Sequence, residues 1–89
     1  MLILWDENNI AHLARHGVTP ALAEKIIEAG LFEVRPTDIN YRFIYEATID
    51  NKHYRLVCDI APGKVIYPVT AFSIRKRKNQ EVSYDNSIT

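Results

Sequence analysis

The stretch from residue 41 to residue 60 constrains this chain more than any other. Tyr41, Phe43, Tyr45, Ala47 and Ile49 alternate with Arg42, Ile44, Glu46, Thr48 and Asp50. After Asn51-Lys52 the alternation resumes, with Tyr54, Leu56, Cys58 and Ile60 set against His53, Arg55, Val57 and Asp59. A period of two is the pattern of a strand with one covered face, and two such strands around a two-residue break form a hairpin. With Asn51-Lys52 as the loop, Asp50 pairs with His53, Ile49 with Tyr54, Ala47 with Leu56, Tyr45 with Cys58 and Phe43 with Ile60. A slip of one residue would turn the apolar set outward, so the register is strongly specified. Beyond the turn Ala61-Pro62-Gly63-Lys64, a third strand over residues 65–74 extends the same face. It sets Ile60 against Val65, Cys58 against Tyr67, Leu56 against Val69 and Tyr54 against Ala71. Pro68 has no N–H to give a ladder, so it belongs at an edge or a bulge.

An apolar sheet face has to be covered, and the first third of the chain supplies the cover. Residues 2–5 read as a short strand. Asp6 follows as a helix N-cap with Glu7 in the first turn, and Trp5 and Ile10 stand at the positions of a hydrophobic staple. Ile10, Leu13 and Ala14 share a face, and Gly17 ends the helix at C′. Thr19-Pro20 starts a second helix, with the cap at Thr19 and the proline at N1. Its apolar stripe is Leu22, Ala23, Ile26 and Ile27, and Gly30 stops it. Residues 31–34 suggest one more short strand, stopped by Arg35-Pro36-Thr37-Asp38. The pattern is an α+β domain, β-α-α-β-β-β, with two N-terminal helices packed on one face of an antiparallel sheet. We place the domain at residues 1–78 and a tail, a candidate for flexibility, at 79–89.

The 47% hydrophobic and 25% charged content is that of a globular domain, and too apolar for disorder. One cysteine, Cys58, rules out an intramolecular disulfide framework and suits a reducing compartment. It falls on the apolar face and reads as a core residue. No apolar run approaches the roughly 18 residues of a membrane span, and the N-terminus lacks the basic region of a signal peptide. A cytoplasmic domain is expected by exclusion. Charge is balanced overall but uneven: residues 1–70 carry seven basic and nine acidic side chains, and Arg75, Lys76, Arg77 and Lys78 form the single basic block. That block is a candidate RNA-binding segment, although short basic runs are more often simply solvated.

Two helices cover one sheet face, and the other carries Arg42, Glu46, His53, Arg55, Asp59 and Thr70. In the register above, Glu46 lies diagonal to Arg55 and Asp59, and Arg55 lies opposite Thr70. Arginines, a histidine and carboxylates on one surface can hold a phosphate and move protons; cross-strand ion pairs on a solvated face are the plainer alternative. Ile44 and Phe72 add apolar surface for a partner. His12 and His16 stand at i, i+4, but no third ligand and no His-Glu-x-x-His motif accompany them, so a metal is not expected. No cofactor motif occurs. Tyr84, in the tail, is a candidate proton donor.

Trp5-Asp6-Glu7-Asn8, followed by His12-Leu13-Ala14-Arg15-His16-Gly17-Val18-Thr19 and the helix containing Ala23-Glu24, resembles the N-terminal signature of BrnT-family toxins. Tyr41-Arg42-Phe43 and Val69-Thr70-Ala71 are similar to that family's Arg-bearing strand and its Ile-Ser-Ala-Arg strand end. The family's last arginine is replaced here by Phe72. The resemblance implies a RelE-like fold and a toxin of a type II toxin–antitoxin module, a metal-independent endoribonuclease acting on mRNA. Its implied partner is a ribbon-helix-helix antitoxin, in a heterotetramer or beside a toxin homodimer. On this reading Arg42, Arg55, Glu46, His53 and Tyr84 carry catalysis. The loss of arginine at Phe72 supports the alternative, a non-catalytic RelE-like domain that binds a protein or RNA partner.

Overall fold

The structure, a computed structural model, describes residues 2–31 and 34–74. The chain runs β1 (Leu2–Ile3), α1 (Glu7–Ala14), α2 (Pro20–Ala29), β2 (Arg35–Pro36), β3 (Arg42–Ile49), β4 (Lys52–Ala61) and β5 (Val65–Ile74). The five strands form one sheet in the order β1-β5-β4-β3-β2. The fold is α+β, as the sequence pattern predicts, but the sheet is mixed rather than antiparallel. The helices carry the chain from β1 to the far edge, and β1 lies parallel to β5, Leu2 beside Val65 and Ile3 beside Ile66. Phe32 and Glu33, at the centre of the strand expected over residues 31–34, lie outside the described residues; the strand described at this edge is β2, where Arg35 pairs with Ile44 and Pro36 with Phe43. An edge position tolerates a proline because one side of the strand needs no ladder.

The helices form where local chemistry satisfies their ends. Asp6 accepts a hydrogen bond from the Asn9 N–H at 2.8 Å, and Asn9 Oδ1 accepts one from the Asp6 N–H at 2.8 Å. Asn9 Nδ2 donates to the Leu4 carbonyl, so this 2% exposed amide is satisfied on both sides. At the other end Val18 N–H reaches the Leu13 carbonyl and Gly17 N–H the Ala14 carbonyl, with Gly17 at φ +74°. This is a Schellman stop, and it needs a residue that accepts left-handed backbone. Leu13 and Val18, its apolar pair, are both fully buried. Ile10, by contrast, remains 40% exposed, so the expected staple and shared face reduce to Leu13. In α2, Thr19 Oγ1 accepts from Leu22 N–H, and Ala23, Ile26 and Ile27 enter the core.

One core joins both helices to one sheet face. Leu13, Val18, Ala23, Ile26 and Ile27 meet Tyr45, Ala47, Tyr54, Leu56, Cys58, Ile66 and Ala71. Each fully buried large aliphatic residue contributes about 1.5–3 kcal/mol of transfer free energy.

The β3–β4 ladder keeps the predicted face but shifts the register by two. Phe43 pairs with Cys58, Tyr45 with Leu56, Ala47 with Tyr54, Thr48 with His53 and Ile49 with Lys52. The loop is therefore Asp50-Asn51, not Asn51-Lys52. Asp50 and Asn51 have φ +52° and +68°, as a type I′ turn requires, and Asp and Asn accept that conformation far better than most residues.

The β4–β5 ladder departs further. Leu56 pairs with Ala71 and Val57 with Thr70, but Cys58 pairs with Pro68 and Ile60 with Ile66, which leaves Val69 as a bulge. Before the bulge Ile66 and Pro68 face the core, so Val65, Tyr67 and Val69 do not hold the core positions expected of them. Ala71 does. Ile66 accepts from the Leu4 N–H, so its backbone faces β1; Pro68 faces the same way, past the end of β1, where no ladder bond is lost.

Candidate functional site

The sheet face turned away from the core carries two polar clusters. In the first, Glu46 on β3 stands directly across from Arg55 on β4, not diagonal to it. Arg55 Nε donates to Glu46 Oε2, and Arg35 on β2 brings its Nη2 to the same oxygen. His53 Nε2 lies 3.5 Å from Glu46 Oε1, while its Nδ1 is 3.0 Å from Thr48 Oγ1. Three side chains from two strands, β2 and β4, thus converge on one carboxylate, which is 19% exposed. Desolvation pushes the Glu46 carboxyl up, but the hydrogen bond from Arg55 and the charges of Arg35 and Arg55 outweigh it and hold it below its ordinary range. Glu46 is therefore anionic near neutrality and a weak proton acceptor.

The second cluster lies toward the other end of the strands. Arg42 makes a bidentate pair with Asp59, Nε to Oδ1 at 2.6 Å and Nη2 to Oδ2 at 3.1 Å. The Asp59 hydrogen bond and charge raise the Arg42 pKa against desolvation. Tyr67, next to Asp59 in the ladder, donates its hydroxyl to Asp6 Oδ2 at 2.9 Å. Asp6 is held low by the Asn9 backbone bond and by Tyr67, and Tyr67 is correspondingly raised by Asp6.

Arg42 and Arg55 share the face, as the alternation predicts, but they do not converge. Each is engaged by its own carboxylate. The four residues from Arg42 to Glu46 separate the pairs by about 13 Å along the strand. Ile44, Val57 and Thr70, adjacent in the ladders, lie between them. Asp59 is not beside Glu46, and Arg55 faces Phe72 rather than Thr70.

Phe72 is 38% exposed, and the His16 ring meets it edge-on with centroids 6.3 Å apart. Ile44 is half-buried between the clusters. Arg75, Lys76, Arg77, Lys78 and Tyr84 lie outside the described residues. His12 on α1 and His16 just past its end are exposed, with ring centroids 6.4 Å apart. Among the described residues no three His, Cys, Asp or Glu side chains are grouped to hold a metal ion. Burial pushes the Cys58 thiol up to about 12, which leaves it protonated and unreactive.

Two participants escape the sequence reading. The sequence pattern places Arg35 in a strand stop, and only its pairing beside Ile44 carries it to Glu46; the proline that follows it, typical of edge strands, is the one local signal. Gly30 caps α2 against the backbone of β3. A Cβ there would stand 2.8 Å from the Glu46 carbonyl oxygen and 3.2 Å from its nitrogen. No local signal distinguishes this glycine from an ordinary helix stop.

No family model, curated protein or solved structure matches the chain. Among the described residues no helix is long and apolar enough to cross a membrane.

Proposed function

We propose that this chain is a RelE-like, cytoplasmic toxin component of a type II toxin–antitoxin module, acting on mRNA as a metal-independent endoribonuclease. The observation that supports the reading is the Glu46–Arg35–Arg55–His53 cluster on a face that carries no core. Arg35 uses one nitrogen and Arg55 its Nε on Glu46, so each keeps further N–H donors for a phosphate. In RNA cleavage the 2′-oxygen attacks the adjacent phosphorus and the 5′-oxygen leaves, giving a 2′,3′-cyclic phosphate. His53 is the base this geometry favours. Thr48 and Glu46 orient the ring, and Glu46 stabilises the imidazolium that forms when His53 takes the 2′-OH proton. Arg55 and Arg35 neutralise the charge growing on the phosphorane. Protonated His53, or Tyr84, returns a proton to the leaving oxygen. A ribbon-helix-helix antitoxin is the expected protein partner, covering Phe72 and Ile44 and assembling as a heterotetramer.

A specific observation favours the second reading, a non-catalytic RelE-like domain that binds RNA or protein. Glu46 is already committed to two arginines, and Arg42 is closed by Asp59. The test is incubation of the purified chain with a defined mRNA in chelator, beside Arg55→Ala, His53→Ala and Arg42→Ala. The toxin reading expects cleavage to cyclic-phosphate ends, lost in Arg55→Ala and His53→Ala by a factor of about 100 or more. RNA binding with no cleavage in the wild type replaces the first reading by the second.

A further inference from the structure

On the core side of the sheet, at the end carrying the β4–β5 turn, a cleft of about 510 Å³ lies between Phe43, Tyr45, Ile60, Lys64 and Ile66. Its size is that of a small-molecule site. Phe43 and Ile60 are only half-buried, so its wall is open apolar surface. Two of the lining residues carry polar side-chain tips. One is the Lys64 ammonium, on an exposed turn residue held at φ +62°. The other is the Tyr45 hydroxyl. Tyr45 is 3% exposed, and among the described residues no hydrogen bond reaches its hydroxyl. A buried tyrosine normally finds a partner for that group. Among the described residues the lining therefore offers an apolar floor, one cation, one hydroxyl without a hydrogen-bond partner and no acidic residue. That lining complements an acceptor-bearing anion and disfavours a cation.

We propose that this cleft binds a small amphipathic carboxylate. The aliphatic or aromatic body lies against Phe43, Ile60 and Ile66, and the carboxylate accepts from Lys64 and from Tyr45. The proposal is independent of RNA chemistry on the opposite face.

Titration of the full chain with octanoate, octanol and octylamine, followed by the methyl resonances of Ile60 and Ile66, tests it. Octanoate is expected to move both methyls saturably, octanol to bind about tenfold more weakly, and octylamine not to bind. Lengthening from hexanoate to octanoate should tighten binding by about fourfold per methylene while the cleft has room. Lys64→Gln should cost octanoate about tenfold and leave octanol unchanged, which corresponds to one exposed charge-assisted contact. Tyr45→Phe should weaken octanoate with no fall in melting temperature, because no described residue bonds the hydroxyl it removes. The proposal is overturned if octylamine binds as well as octanoate, or if octanoate moves neither methyl at millimolar concentration. It also fails if both methyls shift with protein concentration alone, which would place a second copy of the chain in the cleft. RNA binding by Lys64→Gln should match the wild type whichever result is found.

Discussion

Glu46 shows how much one side chain can gather when strands bring it neighbours. Its carboxyl titrates below its unfolded value of about 4.3 because Arg55 and Arg35 stabilise the charged form. A depressed carboxyl contributes stability that is present above the unfolded value and lost as pH falls through the folded one. The urea midpoint of the wild type is therefore expected to drop as pH is lowered below about 4.3. Glu46→Gln should show a shallower drop over that window, leaving the part owed to Asp6, which is also depressed. An identical acid profile in the variant would mean that the pairs contribute nothing to folding. At neutral pH the substitution should be mild, since exposed pairs are worth about 0–1 kcal/mol. Cys58 offers a second residue-scale check. With its thiol buried and held at about 12, maleimide should label it only once the chain is unfolded. Labelling of the native protein at the rate of a free thiol would contradict the packing of β4 under the helices.

At the scale of elements, the end of α2 and the edge of β3 are locked together by the absence of a side chain. A methyl group at Gly30 would fall inside contact distance of the Glu46 backbone, and backbone cannot swing aside as a flexible side chain would. Gly30→Ala is expected to destabilise the fold by about 1–3 kcal/mol through overpacking, measured by denaturant unfolding. Its amide shifts should concentrate at Glu46 and its strand neighbours, and RNA binding should fall with them. A variant as stable as wild type, with unmoved Glu46 resonances, would show that the helix end has slack. The other instructive elements are the two turns. Helix ends and the face of α2 were legible in the sequence because a cap, a stop and a stripe are settled within a few residues, whereas the expected face of α1 reduced to Leu13. Asp6, Gly17, Thr19 and the Ala23–Ile26–Ile27 stripe all stand where local chemistry predicts. The hairpin register was not legible from apolar matching, since a shift of two preserves every face. The positive φ at Asp50 and Asn51 decided it.

At the scale of the whole molecule, the fold sorts its residues into a core side with an apolar cleft and an outer side with charged clusters. If RNA lies along the outer face and meets Arg35, Arg42 and Arg55, three phosphates are neutralised. The logarithm of the binding constant should then fall with the logarithm of salt concentration at a slope of about −2, at roughly 0.7 per phosphate of a single strand. Arg42→Ala should reduce that slope by about 0.7 and leave the fold intact, which fluorescence anisotropy across a salt series can measure. A salt-independent constant would move RNA off this face.

By itself the sequence determined the class of fold, the two helices with their ends, and the set of β3 and β4 residues that share the outer face. These follow from periodicity and from caps, which act over short stretches of chain. Tertiary structure alone decided which members of that set touch. The Val69 bulge turned Tyr67 away from the core and toward Asp6, because one extra residue reverses every side chain beyond it. The pairing of Arg35 with Ile44 brought a second arginine to Glu46 from 11 residues away. Arg42 and Arg55 lie on one face yet serve different carboxylates, because a shared face fixes direction and leaves distance along the strand to the register.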